Sequence, residues 1–312
     1  MRRNVVFLQA LLACTAIAGP ALATEKLDVV ASFSILGDMA TRIGGERVSV
    51  TTLVDANGDA HVYQPTPRDA EAVAGADVIL VNGLGFEGFI DRLLEAADYK
   101  GGVITAATAV KPIEGFAEEE KEEEGHDHDH GHDHGGIDPH AWQSLANGVL
   151  YTAAIADGFC KAAPDDCALF RANAAAYSAE LAKLDADVKA RVSAIPEGQR
   201  KVITSHDAFG YFGREYGITF LAPQGISTDS EASAATVADL IRQIRELNVK
   251  VLFVENISDP RLIQQIGTET GASLGGTLYS DALSDSDEAG ASYIGMMKHN
   301  ADALIAAMER GS

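Results

Sequence analysis

Between Pro164 and Pro196 the chain carries neither glycine nor proline, and the intervening residues are rich in alanine, leucine and charge. These are strong helix formers, and nothing in the segment breaks a helix. Roughly thirty residues at ~1.5 Å each make a rod of about 45 Å, long enough to cross an entire domain. A rod of that length restricts the rest of the chain. The residues before it and the residues after it are expected to form separate lobes, joined by a rigid connection over 164–196.

The segments on either side repeat one pattern. Before the rod, short apolar runs at Leu27–Ser32, Val48–Val54, Val78–Asn82 and Val103–Ala106 alternate with helical periodicity at Ile35–Ile43, Arg68–Ala74 and Phe86–Ala97. After it, strands at Lys201–Ser205, Thr219–Ala222, Val251–Glu255 and Ser273–Thr277 alternate with helices at Phe209–Tyr216, Ser233–Leu247, Pro260–Thr270 and Ser292–Met308. Alternation of this kind predicts α/β lobes, each a mostly parallel sheet flanked by helices. With 312 residues and 46% hydrophobic content, two lobes of ordinary size can each bury a core. The expected division is 24–163, the linker helix 164–196, and 197–312.

One stretch departs from the pattern. From Glu118 to Gly136 there is no aliphatic residue and no Phe, Tyr or Trp, only glutamates with Lys121 and then His126, His128, His130, His132 and His134 interleaved with aspartate and glycine. Such a composition cannot bury a core, so a disordered acidic loop over about 116–136 is expected, with accessory metal affinity in its imidazoles. The net charge of -22 argues against nucleic acid and anionic membranes as partners.

The first residues read as an export signal. Arg2 and Arg3 precede a nearly continuous apolar run from Val5 to Ala18, and Ala21-Leu22-Ala23 is a small-residue cleavage site, which predicts a signal peptide over 1–23. Leu11-Leu12-Ala13-Cys14 offers a competing lipoprotein signal with Cys14 acylated, the less favoured alternative on sequence alone. No later stretch is apolar for long enough to span a membrane. Cys160 and Cys167, in an oxidising compartment, are expected to form a disulfide that pins a turn.

Four histidines lie outside the acidic run. His61 sits in the loop after the second strand, His140 ends the long loop after the fourth, and His206 comes directly after the strand at Lys201–Ser205. Asp281 lies in the loop after Ser273–Thr277, where Asp285 and Asp287 are near enough to compete for its role. Ligands of open α/β sheets gather beyond the carboxyl ends of strands. Three imidazoles and a carboxylate at equivalent strand ends, two from each lobe, suit tetrahedral Zn²⁺. His299, within the last helix, is expected on the surface. No His-Glu-x-x-His and no nucleophile elbow is present, and four protein ligands would leave no open position for catalysis.

The segments Ala60-His61-Val62-Tyr63-Gln64-Pro65-Thr66-Pro67, Asp138-Pro139-His140-Ala141-Trp142, Ser205-His206-Asp207-Ala208-Phe209-Gly210-Tyr211-Phe212 and Leu278-Tyr279-Ser280-Asp281 resemble the metal-binding solute-binding proteins of ABC importers, the cluster A-I or ZnuA/TroA-type family. The resemblance covers essentially the whole mature chain. It implies one metal held in the cleft between two α/β lobes, with His61, His140, His206 and Asp281 as its ligands. It further implies an ABC permease with its cytoplasmic ATPase as partner; a monomeric periplasmic protein is expected, and a periplasmic zinc chaperone is a candidate further partner that the sequence does not decide. Relatives that look manganese-selective carry glutamate where this chain has His206, and a third imidazole suits zinc better than manganese. The acidic histidine run also resembles that of zinc-specific members. One departure concerns the residues after Trp142: Gln143-Ser144-Leu145 stands where the family commonly has Leu-Asp/Ser-Pro, which bears on the subfamily and its permease.

Overall fold

The computed structural model describes residues 25–114 and 136–310. The export segment with Cys14, and the histidines from His126 to His134, lie outside the described residues.

The first lobe is built on a parallel sheet of β1 (Leu27–Phe33), β2 (Val48–Val54), β3 (Val78–Val81) and β4 (Gly102–Thr105), in the order β2-β1-β3-β4. The two central strands are almost wholly apolar and buried, because helices cover both faces of a parallel sheet. Those helices are α1 (Ser34–Gly44), α2 (Pro67–Gly75), α3 (Ile90–Ala96) and α4 (Leu145–Ala162). The start of α2 is set by Pro67 at its first position and by a reciprocal cap between Thr66 and Asp69. An antiparallel ribbon of β5 (Ile113–Glu114) and β6 (Ile137–Asp138) closes the lobe, and residues 115–135 lie between its strands in the chain.

α5 (Cys167–Ser193) is one uninterrupted helix of 27 residues. Its rise of ~1.5 Å per residue makes it about 40 Å long, slightly shorter than expected. Pro164–Asp166 form a separate tight turn before it, and a disulfide between Cys160 and Cys167 joins the last turn of α4 to its first residue. Both lobes grip the helix. Asn173 donates to the Ile43 carbonyl and Arg42 pairs with Glu180 on the first-lobe side, while Tyr216 donates to Asp185 and Arg191 meets Asp302 on the other.

The second lobe repeats the arrangement with β7 (Lys201–Ile203), β8 (Thr219–Leu221), β9 (Val251–Glu255) and β10 (Ser273–Leu278), parallel and ordered β10-β9-β7-β8. Its helices are α6 (Gly210–Tyr216), α7 (Ala234–Glu246), α8 (Arg261–Thr270) and α9 (Tyr293–Arg310). Gly217 and Gly271 stop α6 and α8 in the left-handed conformation, at φ 71° and 77°. The lobes share one large core, and the second lobe adds a smaller one of its own. One apolar cluster runs from the first sheet through Trp142 and Tyr177 to Phe209, Phe212, Tyr279 and Tyr293, and a smaller one lies between the second sheet, α7 and α8.

Several expected elements are shorter in the structure, two of them beside the convergent strand ends. Helix α3 begins at Ile90 rather than Phe86, because residues 83–85 take positive φ and turn Glu87 back to accept from the Asn82 and Gly83 amides. Strand β7 ends at Ile203: the Thr204 amide makes its last ladder bond, to Leu221, and the Ser205 and His206 amides turn to the Glu255 carboxylate. None of the described helices is long and apolar enough to cross a membrane.

Candidate metal centre

The carboxyl ends of both sheets face one another, and His61, His140, His206 and Asp281 converge there. One donor atom from each lies within 4.8 Å of the others. The His61 and His140 Nε2 atoms are 3.3 Å apart. Asp281 Oδ2 is 3.1 Å from His61 Nε2 and 3.2 Å from His206 Nε2, and its Oδ1 is 3.6 Å from His140 Nε2. A tetrahedron with ligand bonds of ~2.0–2.1 Å has edges of about 3.3 Å, so these spacings fit one small dication at the centre. His140, His206 and Asp281 are fully buried, yet His206 Nε2 and both Asp281 oxygens have no hydrogen-bond partner. Buried polar atoms left in that condition are costly, and a cation at the centre would take His206 Nε2 and an Asp281 oxygen as ligands.

Each imidazole arrives by a different local device. The Asp59 carboxylate turns the loop after β2 by accepting from the His61 amide at 2.9 Å. Asp138 Oδ1 accepts from the His140 amide at 2.9 Å and meets its Nδ1 at 2.8 Å, which directs Nε2 into the cleft. Glu255, the last residue of β9, meets His206 Nδ1 at 2.5 Å and accepts the Ser205 and His206 amides at 2.7 and 2.9 Å. A carboxylate behind an imidazole fixes its tautomer and raises its basicity as a ligand. Phe86 and Trp142 wall the site: the Phe86 ring stands edge-on to His61 at 5.1 Å, and Trp142 to His140 at 5.3 Å.

Three buried carboxylates, Asp138, Glu255 and Asp281, thus surround the histidines. Burial alone would make His140 less basic, but Asp281 and Asp138 outweigh it and push its pKa up to about 9. Burial likewise opposes protonation of His206, and Glu255 and Asp281 hold it well above its ordinary value. Burial would raise Asp281, whereas the charges on His206 and His140 keep it well below the carboxylate range. These shifts favour the protonated imidazoles of His140 and His206 when no cation is held.

Asp285 and Asp287, the competing carboxylates of the last loop, are not in the cluster. His299 lies partly exposed at the surface, and its ring packs on Tyr279 with Nε2 3.0 Å from the Thr277 carbonyl. Sequence reasoning missed Glu255, although a glutamate closing the apolar run Val251–Val254 at a sheet's carboxyl end was a usable signal. Asp138 was legible only as part of a motif, not as the partner of His140.

The family model for the periplasmic zinc-uptake complex component A, ZnuA, matches residues 29–307. The chain belongs to this family. It is a metal-binding component of an ABC importer, a family that works with a membrane permease and an ATPase. It is 32% identical to the manganese-binding lipoprotein MntA of Halalkalibacterium halodurans, over 92% of this chain and 90% of that one. It is 30% identical to the iron ABC transporter substrate-binding lipoprotein MtsA of Streptococcus pyogenes, over 94% and 93%. Among solved structures, the periplasmic zinc binding protein TroA from Treponema pallidum superposes with a TM-score of 0.81 at 28% identity, covering 91% of this chain and 99% of that one.

Proposed function

We propose that the chain captures Zn²⁺ outside the cytoplasm with His61, His140, His206 and Asp281, and delivers it to an ABC permease for import. The supporting observation is the set of four donor atoms within 4.8 Å of one another, three of them imidazole nitrogens. Imidazole favours zinc, whereas manganese favours carboxylate, carbonyl and water oxygens. The manganese and iron names of the curated relatives favour the alternative cargo. Zinc titration of the mature protein against manganese and iron decides between them. Zinc is expected to persist at one tight site under a large excess of either competitor, and displacement by comparable manganese would overturn the zinc assignment.

Four protein ligands fill a tetrahedral shell, so the reading is of a carrier and not of an enzyme. The lobes are taken as 24–163 and 197–312, joined by the helix of 164–196, with one copy docking on the permease. The histidines from His126 to His134 act as weaker accessory sites, since flexible ligands lose ordering entropy on binding. A chaperone that loads the protein is compatible with this scheme. The lipoprotein names of the curated relatives favour acylation at Cys14 over cleavage before Thr24, reversing the order drawn from the sequence alone. Mass spectrometry of the mature N-terminus distinguishes the two.

A further inference from the structure

Asp281 comes after β10 in the chain and so belongs to the second lobe by sequence. Its hydrogen bonding is otherwise. The Ser280 carbonyl, immediately before it, accepts from Trp142 Nε1 at 2.9 Å and from Gln143 Nε2 at 2.7 Å, both fully buried in the first lobe. Two residues later, the Leu283 amide donates to Ser34 Oγ at 2.9 Å, and its carbonyl accepts the Asn57 amide at 2.8 Å. The Tyr293 hydroxyl, where α9 begins, donates to the Trp142 carbonyl at 2.5 Å, and the Tyr293 amide donates to Asp38 of α1 at 2.9 Å. Against these, the second lobe holds the segment through Asn256 Nδ2, which donates to the Ala282 carbonyl at 3.2 Å and also reaches Asn57 of the first lobe, and through Asn300 of α9, which accepts the Tyr279 amide at 2.9 Å and donates to the Tyr279 carbonyl at 2.7 Å, one residue before Ser280. His206 is the opposite case. Glu255, the Thr204 hydroxyl and the bridge to Gln224 tie it, and all belong to the second lobe.

We infer that Gln143 and Trp142 are positioning residues for Asp281, and that the site divides three to one between the lobes rather than two to two. His61, His140 and Asp281 move with the first lobe, and His206 alone moves with the second. The inference rests on reading these four residues as the metal ligands. Its physical content is that two donors converging on one carbonyl oxygen fix the backbone from which the Asp281 carboxylate projects. Relative movement of the lobes would therefore detach one nitrogen and leave the other three donors assembled.

A double-mutant cycle tests it, with Zn²⁺ titrated against a chromophoric chelator on the mature protein. Gln143→Met keeps the side-chain length and removes the donor, and Trp142→Phe removes the other donor on the same carbonyl while keeping a ring in place. Either variant is expected to weaken zinc about tenfold, ~1.4 kcal/mol, in the wild-type background. Neither is expected to weaken it further once Asp281→Ala has removed the carboxylate. A residue that merely supports the fold would cost the same in both backgrounds, which overturns the inference, as does the absence of any effect from both variants in the wild type. If Asp281→Ala itself leaves zinc affinity unchanged, the ligand assignment fails, and this inference with it. If Asp281→Ala weakens zinc but Gln143→Met and Trp142→Phe do not, only the positioning inference fails.

Discussion

Replacing Glu255 with glutamine tests how the second lobe supports its ligand. The carboxylate receives three donors, the Ser205 amide, the His206 amide and His206 Nδ1. Glutamine has one oxygen to offer. If that oxygen keeps the two amides, its NH₂ faces Nδ1–H, donor against donor, in the tautomer that presents Nε2 to a metal. If it flips, two buried amides lose an acceptor. Loss of such an outer partner weakens metal affinity by ~10–100-fold, about 1.4–2.7 kcal/mol. A second effect opposes it. Glu255 is a leading cause of the raised His206 pKa, so the variant carries less proton for the metal to displace. Both His140 and His206 are held above their ordinary values, so zinc displaces protons on binding and its affinity rises with pH. The variant releases fewer, so its slope is shallower and its deficit widens as pH rises. The measurement is chelator-competition titration at several pH values, with calorimetry in buffers of different ionisation enthalpy to count protons. Affinity within twofold of wild type at pH 8, or an unchanged pH slope, would refute the reasoning.

Three further outcomes rest on the same geometry. Metal-free protein should lose stability between about pH 6.5 and 9: the folded-state value of His140 lies above its unfolded value, so its contribution is complete below the lower value and is lost as pH rises through about 9. Its magnitude is ~3 kcal/mol, and melting temperatures should show a decline that zinc abolishes. Gly210→Ala should weaken zinc by several-fold and perturb His140, because the added methyl would stand 2.5 Å from Asp138 Oδ2; an unchanged affinity would show that Asp138 yields freely. Deleting residues 118–135 should remove weak zinc equivalents and retain one tight site in calorimetry, and loss of the tight site would contradict the assignment to the cleft.

The order of strands and helices was legible because each element is strongly periodic and bounded by its own signals. Thr66-Pro67 opens α2, and Gly217 and Gly271 stop α6 and α8. The histidines were legible because a sheet's carboxyl edge is a fixed place in the chain. What failed were features decided by distant partners. The turn at residues 83–89 is set by where the Glu87 carboxylate finds its donors, 5 residues back in the chain at Asn82 and 55 away at Ser32. The allegiance of the Asp281 loop is set by Trp142 and Gln143, 138 and 137 residues away from Ser280. Periodicity carries no information about such pairings.

The shared apolar cluster bears on whether this molecule can be divided. Its architecture is written twice, yet Tyr177 of the linker, Phe209 and Phe212 of the second lobe and Trp142 of the first all lie in one packed body. A chain cut near Pro164 would give two fragments of respectable length, each with a wall of aromatic side chains and no surface to lay them on. Neither half should fold alone, heat should melt the intact chain in a single cooperative step, and the twofold plan should be invisible to any denaturant. The molecule is a repeat in outline and an indivisible unit in its energetics.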